Sequence, residues 1–343
     1  MGLIRIPTPL RTFTGGKDEI GTDAVTVQAA IDELAQNHPG IRERILDGDH
    51  IQRFVNIYVE DEDIRFLEGL ETKLNSRSVI SIVAAIAGGS AAVQLTSDES
   101  ARYERQLRIE GFGEQGQNRL KAATVMVSRC GGVGGTAAIN LAIAGIGRLI
   151  LAHGGNVVPD YLNRWVWAGP QDVGRPCVQV LAEHIRRLNP LVEVTPVAEQ
   201  VSETNIHGLV KDADLIVDGA PLFEERYIMH AEAVKQRKPL VMGAMYSTEG
   251  YVTTVIPGET PCLKCLYPTK PDYWTNIKVF PAIGPGPIIV GSMCAMEAIK
   301  IISGFGKPLK GALWRFDLET CFVQTLKIRR RPDCEFCGSL RSS

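Results

Sequence analysis

The chain has 343 residues, a formal net charge of −2, and 45% hydrophobic against 22% charged side chains. That length exceeds one ordinary core and predicts two domains, and the near-neutral charge gives no reason to expect nucleic acid or a membrane surface as partner. No apolar run reads as long enough to span a bilayer and residues 1–10 lack the apolar stretch of a secretory signal, so a cytoplasmic protein is expected, in which cysteines serve metal binding or catalysis rather than disulfides.

Residues 3–6 alternate and end at Pro7, which reads as a strand. Residues 26–36 place Val27, Ala30, Ile31 and Leu34 at helical spacing, 54–59 form a β-rich run, and 79–83 form another strand. Together they predict a small α+β domain over residues 1–89. A stretch rich in Ser, Ala, Thr and Asp follows, and residues 90–101 read as a linker to a second domain over 102–343. There, strand 124–127, the turn Gly131-Gly132-Val133-Gly134, a small-residue helix over 137–144 and strand 149–151 make the first unit of a dinucleotide-type fold. Alternation continues through helix 178–188, strands 193–197 and 215–218, helix 224–234 and strand 239–243.

Two motifs carry chemistry. Cys262-Leu263-Lys264-Cys265 and Cys334-Glu335-Phe336-Cys337 are two C-x-x-C knuckles whose thiolates suit tetrahedral zinc and would staple the C-terminal tail to the body. The competing readings are unrelated cysteines or a redox dithiol, and the latter leaves one pair unexplained. Cys130, Cys177, Cys294 and Cys321 stay unassigned. The glycine turn suits phosphate, because backbone N–H groups and the helix dipole face an incoming anion. Glycine turns also serve tight packing, and Arg129 stands where a small residue would admit phosphate.

Residues 3–89 resemble the MoaD/ThiS class of ubiquitin-like sulfur carriers, closest to the CysO type. The likeness rests on Pro7-Thr8 with Leu10-Arg11, the 54–59 strand, Asp61-Glu62-Asp63 with Arg65-Phe66, and Ala87-Gly88-Gly89. Residues 102–340 resemble the ThiF/MoeB group of activating enzymes, through Arg102-Tyr103 with Arg105-Gln106, the glycine turn, Leu162-Asn163-Arg164, Asp172-Val173-Gly174, Asp218, the zinc pairs and the run from Gly291-Ser292 to Ala298. The resemblance implies a ubiquitin-like β-grasp domain joined to a Rossmann-type activating-enzyme domain with a structural zinc, and a homodimer. It places the carrier function on the Gly88-Gly89 tail, whose terminal carboxylate is adenylated and converted to a thiocarboxylate. It places ATP and magnesium near Gly131, Gly132, Gly134, Arg105, Arg164 and Asp218.

The departures from that pattern weigh as much as the matches. Gly89 is followed by Ser90, so a free carboxylate requires a cut after Gly89. The ribose-binding aspartate of the family is His153, followed by Gly154-Gly155. Its asparagine before Leu-x-Arg is Tyr161, its phosphate-gripping lysine is Cys177, and its magnesium aspartate is Pro221. The crossover stretch 272–284 has no cysteine. Losing one electrostatic donor typically costs about a hundredfold in rate, so a site without conventional adenylation is expected. A sulfur donor, a sulfur-accepting enzyme, a separate activating enzyme and a metalloprotease are then the implied partners. A competent adenylyltransferase is the first alternative. A redox or ligand-binding role for Cys130, Cys177 and His153, with Arg175 lowering the Cys177 pKa, is the second.

Overall fold

The computed structural model describes residues 2–7, 10–11, 13–48, 50–52, 55–60, 62–84, 94–271 and 280–340, and it divides into two units, Met1–Ala91 and Ala92–Ser343. The tail glycines Gly88 and Gly89 and residues 272–279 of the crossover stretch lie outside the described residues.

In the first unit, strands β1 (Gly2–Arg5) and β2 (Glu19–Thr22) lead into helix α1 (Val27–Asn37). Thr26 starts that helix, because its hydroxyl accepts the otherwise orphaned Ala29 N–H at 3.2 Å. The short α2 (Arg42–Ile45) and the two-residue strands β3 (Leu46–Asp47) and β4 (His50–Ile51) follow, then β5 (Val55–Val59), β6 (Glu62–Asp63) and β7 (Val79–Ala84). The main sheet runs β2-β1-β7-β5-β6, with β1 and β7 parallel at its centre. Val55, Ile57 and Val59 all turn inward by the two-residue period and pack with Ile31 and Leu34 of α1. This is the β-grasp arrangement expected.

The second unit opens earlier than the sequence reading had it. Helix α3 (Ser97–Leu107) begins inside the stretch read as linker. The cause is a capping box, in which Thr96 accepts from Glu99 N–H while Glu99 accepts from Thr96 N–H. Glu99 is buried and also pairs with Lys121 at 2.6 Å on helix α4 (Gly113–Ala122).

Then come β8 (Thr124–Ser128), α5 (Gly132–Ala144), β9 (Arg148–Ala152), α6 (Cys177–Leu188), β10 (Glu193–Val197), α7 (Ile206–Lys211), β11 (Leu215–Asp218), α8 (Phe223–Lys235) and β12 (Leu240–Tyr246). They make a parallel sheet in the order β10-β9-β8-β11-β12. Strand β13 (Glu249–Val255), helices α9 (Leu263–Leu266) and α10 (Pro285–Ser303), and strands β14 (Ala312–Asp317) and β15 (Phe322–Lys327) complete the unit. The last three strands extend the same sheet antiparallel. The strand order reverses between β8 and β11, where open α/β sheets leave a crevice beyond the strands' carboxyl ends.

Helix α10 corrects one expectation. Its 19 residues are long and apolar enough to cross a membrane, yet half of that window is buried within the unit. Glu297 in its middle is fully buried and accepts from Thr254 Oγ1 at 2.8 Å and Leu309 N–H at 2.6 Å, which marks a core helix tied to the sheet.

Candidate functional site

The crevice is built around the turn that joins β8 to α5. Arg129 occupies the left-handed region at φ 50°, a conformation that normally favours glycine. Its guanidinium is held by the Glu225 carboxylate on α8 through two parallel bonds, Nε–Oε2 at 2.7 Å and a second nitrogen to Oε1 at 2.9 Å. The side chains are 18% and 8% exposed. The fork geometry makes this a strong, specific pair and neutralises the Arg129 charge.

The glycines of the turn serve packing. A methyl on Gly134 would lie 2.6 Å from the Arg129 carbonyl, so glycine lets α5 approach β8. A methyl on Gly135 would meet Trp167 Nε1 at 2.3 Å, and one on Gly131 would meet Trp165 Nε1 at 3.3 Å. Trp165 and Trp167 are buried against the turn and stack at 4.5 Å, and Tyr161 continues the stack at 4.2 Å. Sequence reasoning passed over both tryptophans and Glu225. The signal available was Trp165-Val166-Trp167, half of the four tryptophans in the chain, directly after Leu162-Asn163-Arg164.

A cavity of about 730 Å³ opens beside the turn. Gly131, Gly132, Arg129, His153, Arg164 and Pro221 line its inner end, and the wall continues through Arg226, Ser247 and Ala282 to Arg315 and Leu326. Of the residues the resemblance places near ATP, Gly131, Gly132 and Arg164 therefore meet here, together with His153, Tyr161 and Pro221, which stand where the family has other groups. Arg164 bonds to the Asp160 carbonyl at 2.6 Å and to Asn163 Oδ1 at 2.7 Å, with its guanidinium 5.3 Å from the Tyr161 ring centre. Gly134 and Arg105 are not part of the lining; Arg105 is exposed on α3.

Asp218 ends β11 fully buried. It accepts from Ala220 N–H at 2.9 Å and faces His230 Nε2 at 3.1 Å and Arg226 Nε at 3.4 Å. Burial favours its neutral form, but Arg226 and His230 outweigh that and hold the carboxyl below its usual range. Arg226 in turn donates to the carbonyls of Ala220 and Gly243, each at 2.6 Å. Asp218 is thus committed to internal partners, and residues 219–223 read Gly-Ala-Pro-Leu-Phe with no carboxylate.

His153 is 5% exposed at the inner wall. Burial, with Arg129 nearby, pulls its imidazole down to about 4, so it is neutral at ordinary pH. Cys177 starts α6, and burial pushes its thiol up to about 11. Burial also pushes the Cys130 thiol up. Arg175, expected to acidify Cys177, is instead engaged by Asp172 at 2.8 Å and Glu183 at 2.6 Å. Protonated, buried thiols lack the thiolate that redox chemistry needs, which turns the geometry against that reading.

The four cysteines of the two knuckles come together away from the cavity. Cys262, Cys265, Cys334 and Cys337 are buried, with all four Sγ atoms within 4.8 Å of one another. The contacts are 3.9 Å for Cys262–Cys265 and 3.5 Å for both Cys262–Cys334 and Cys265–Cys337. Bonds of about 2.3 Å in a tetrahedron put sulfurs roughly 3.8 Å apart, so the cluster fits zinc. The Arg331 N–H points at Cys265 Sγ at 3.4 Å, as a thiolate acceptor requires. Such a site is closed to substrate and structural in character.

The chain matches two family models. The ThiF family model covers residues 103–336 and the ThiS family model covers residues 4–89. Protein HesA, vegetative, of Trichormus variabilis is 41% identical over 247 residues, 72% of this chain and 92% of that protein. The sulfur carrier protein adenylyltransferase of Thermus thermophilus is 36% identical over 250 residues, 71% of this chain and 92% of that protein. The crystal structure of Escherichia coli MccB with ATP is similar with a TM-score of 0.63 and 25% identity, over 69% of this chain and 74% of that one.

Proposed function

Because this chain belongs to the ThiF family and carries a ThiS-family domain ahead of it, we propose that it is a sulfur-carrier protein whose fused activating-type domain has given up conventional adenylation. The observation that carries this reading is the Arg129–Glu225 pair. At the turn where a triphosphate would need positive charge, the guanidinium of the turn itself, Arg129, is already neutralised by a buried carboxylate, which leaves Arg164 beside Gly132 as the cation there. The absence of a carboxylate in residues 219–223, the engagement of Asp218 with Arg226 and His230, and the tryptophans against the turn support the same conclusion. In this reading these residues do not fit a magnesium triphosphate.

The carrier chemistry then rests on Gly88-Gly89. A tail without side chains threads a narrow active site and leaves an unhindered acyl carbon. Because Ser90 follows Gly89, a protease first frees the Gly89 carboxylate. A separate activating enzyme then loads it with sulfur from a donor, and an acceptor enzyme takes the sulfur. The activating-type domain acts as a homodimeric platform, and its zinc knuckles fix the tail of that domain. Calorimetric titration of the full chain with ATP and magnesium tests the reading. No binding heat is expected, and saturable binding of one nucleotide per chain would contradict it.

The identity to the Thermus thermophilus adenylyltransferase favours a second reading, an active enzyme acting on a Gly-Gly tail. The two separate cleanly, because that enzyme must exchange ATP with pyrophosphate and the carrier must not.

A further inference from the structure

The two halves of the cysteine cluster are anchored very differently. Cys262 and Leu263 are fully buried on the body, and the turn leading to them is held by Thr260, whose hydroxyl accepts from Ile256 N–H at 2.7 Å. Cys334 and Cys337 lie on the segment after β15, whose first tie to the body is Ile328 N–H to the Gly311 carbonyl at 2.9 Å. The tail pair is itself buried, Cys334 at 7% and Cys337 at 1% exposure, and Lys264 pairs with Glu335 between the two knuckles at 2.7 Å. A metal leaves when one pair lets go, so the contacts that dock the tail decide when it does.

Arg330 bridges exactly that joint in space. Its guanidinium donates to the Gly258 carbonyl on the body and, on the tail, to the carbonyls of Cys337 at 2.5 Å and Leu340 at 2.7 Å. The tail closes on itself through Gly338 N–H to the Cys334 carbonyl at 2.8 Å and Leu340 N–H to the Cys337 carbonyl at 3.1 Å. One planar cation therefore fixes the C-terminal end of the second knuckle and the residues just after it to the body without touching a sulfur. Its neighbour Arg331 plays another part: its side chain pairs with Asp333 at 2.8 Å and only its backbone N–H reaches Cys265.

We propose that Arg330 is a latch, a positioning residue that keeps the second knuckle docked independently of the metal and so sets the rate at which zinc leaves. Hydrogen-bonding partners behind metal ligands typically change affinity by roughly 10- to 100-fold.

The test loads the full-length protein with zinc and follows release to a chromophoric chelator in excess. Arg330→Met releases zinc on the order of tenfold faster or more, Arg330→Lys falls between it and wild type, and Arg331→Met stays near wild type because its backbone N–H remains. Equal rates in wild type and Arg330→Met overturn the proposal. So does equal acceleration by Arg331→Met, which would assign the effect to charge near the cluster. If Arg330→Met does not fold, hydrogen exchange of the wild-type protein stripped of metal decides. Retained protection at the Gly338 and Leu340 amides is the expected result, and exchange there as fast as in an unstructured chain overturns the latch.

Discussion

Arg129 and Glu225 are 96 residues apart in the chain and meet through two parallel hydrogen bonds at the mouth of the glycine turn. The pair accounts for two features together: an arginine in a left-handed conformation at a place where glycine is natural, and a buried carboxylate on the first turn of α8. Removing one partner strands the other in a poorly solvated site. Arg129→Ala is therefore expected to cost about 3 kcal/mol, read by urea denaturation. Arg129→Ala/Glu225→Ala should recover a large part of that loss. Additive losses in the double variant would mean the two groups do not interact energetically.

His153 makes stability depend on pH in a defined window. Its pKa falls from 6.5 when unfolded to about 4 when folded, so the unfolded chain binds the proton more readily. The stabilisation from keeping it neutral is complete above pH 6.5 and is lost as pH falls toward 4. That amounts to about 3 kcal/mol. His153→Gln should lose less stability than wild type between those two pH values. Parallel stability curves for the two proteins would remove His153 as the cause.

The glycine turn is predicted to answer to tryptophan volume. Gly135→Ala pushes a methyl into Trp167, with 2.3 Å available, and overpacking of this kind costs about 1–3 kcal/mol. Trp167→Phe makes room, so the double variant should be more stable than Gly135→Ala alone. A Gly135→Ala protein as stable as wild type would show that the stack yields freely.

Metal content is a further check. One zinc per chain is expected by elemental analysis, falling to near zero in Cys262→Ser and in Cys337→Ser. With the metal stripped and Arg330→Met in place, the segment after Lys327 should become the preferred site of proteolysis. Full metal content in either cysteine variant would rule out the four-thiolate site.

Much of this architecture is legible in the sequence because it is local. The C-x-x-C knuckles, the glycine turn after β8 and the period-two pattern of β5 each declare themselves within a few residues. Other elements are masked by local chemistry. Helix α3 lies in a Ser- and Asp-rich stretch whose meaning depends on Thr96 and Glu99 capping each other. Helix α10 opens Pro285-Gly286-Pro287, residue types that hide a helix start although proline suits the first helical turn. The site's electrostatics are tertiary: nothing near Arg129 announces Glu225, and nothing near Asp218 announces that Arg226 and His230, eight and twelve residues on, will consume its charge. Missing family residues can be read from sequence, whereas what the remaining ones bond to cannot.

The most direct measurement is ATP–pyrophosphate exchange by the full chain, with magnesium and a separately prepared carrier ending at Gly89. The account predicts no exchange above the protein-free background, with or without the carrier. Exchange that requires this chain, magnesium and the free Gly89 carboxylate would contradict it and make the chain the activating enzyme itself.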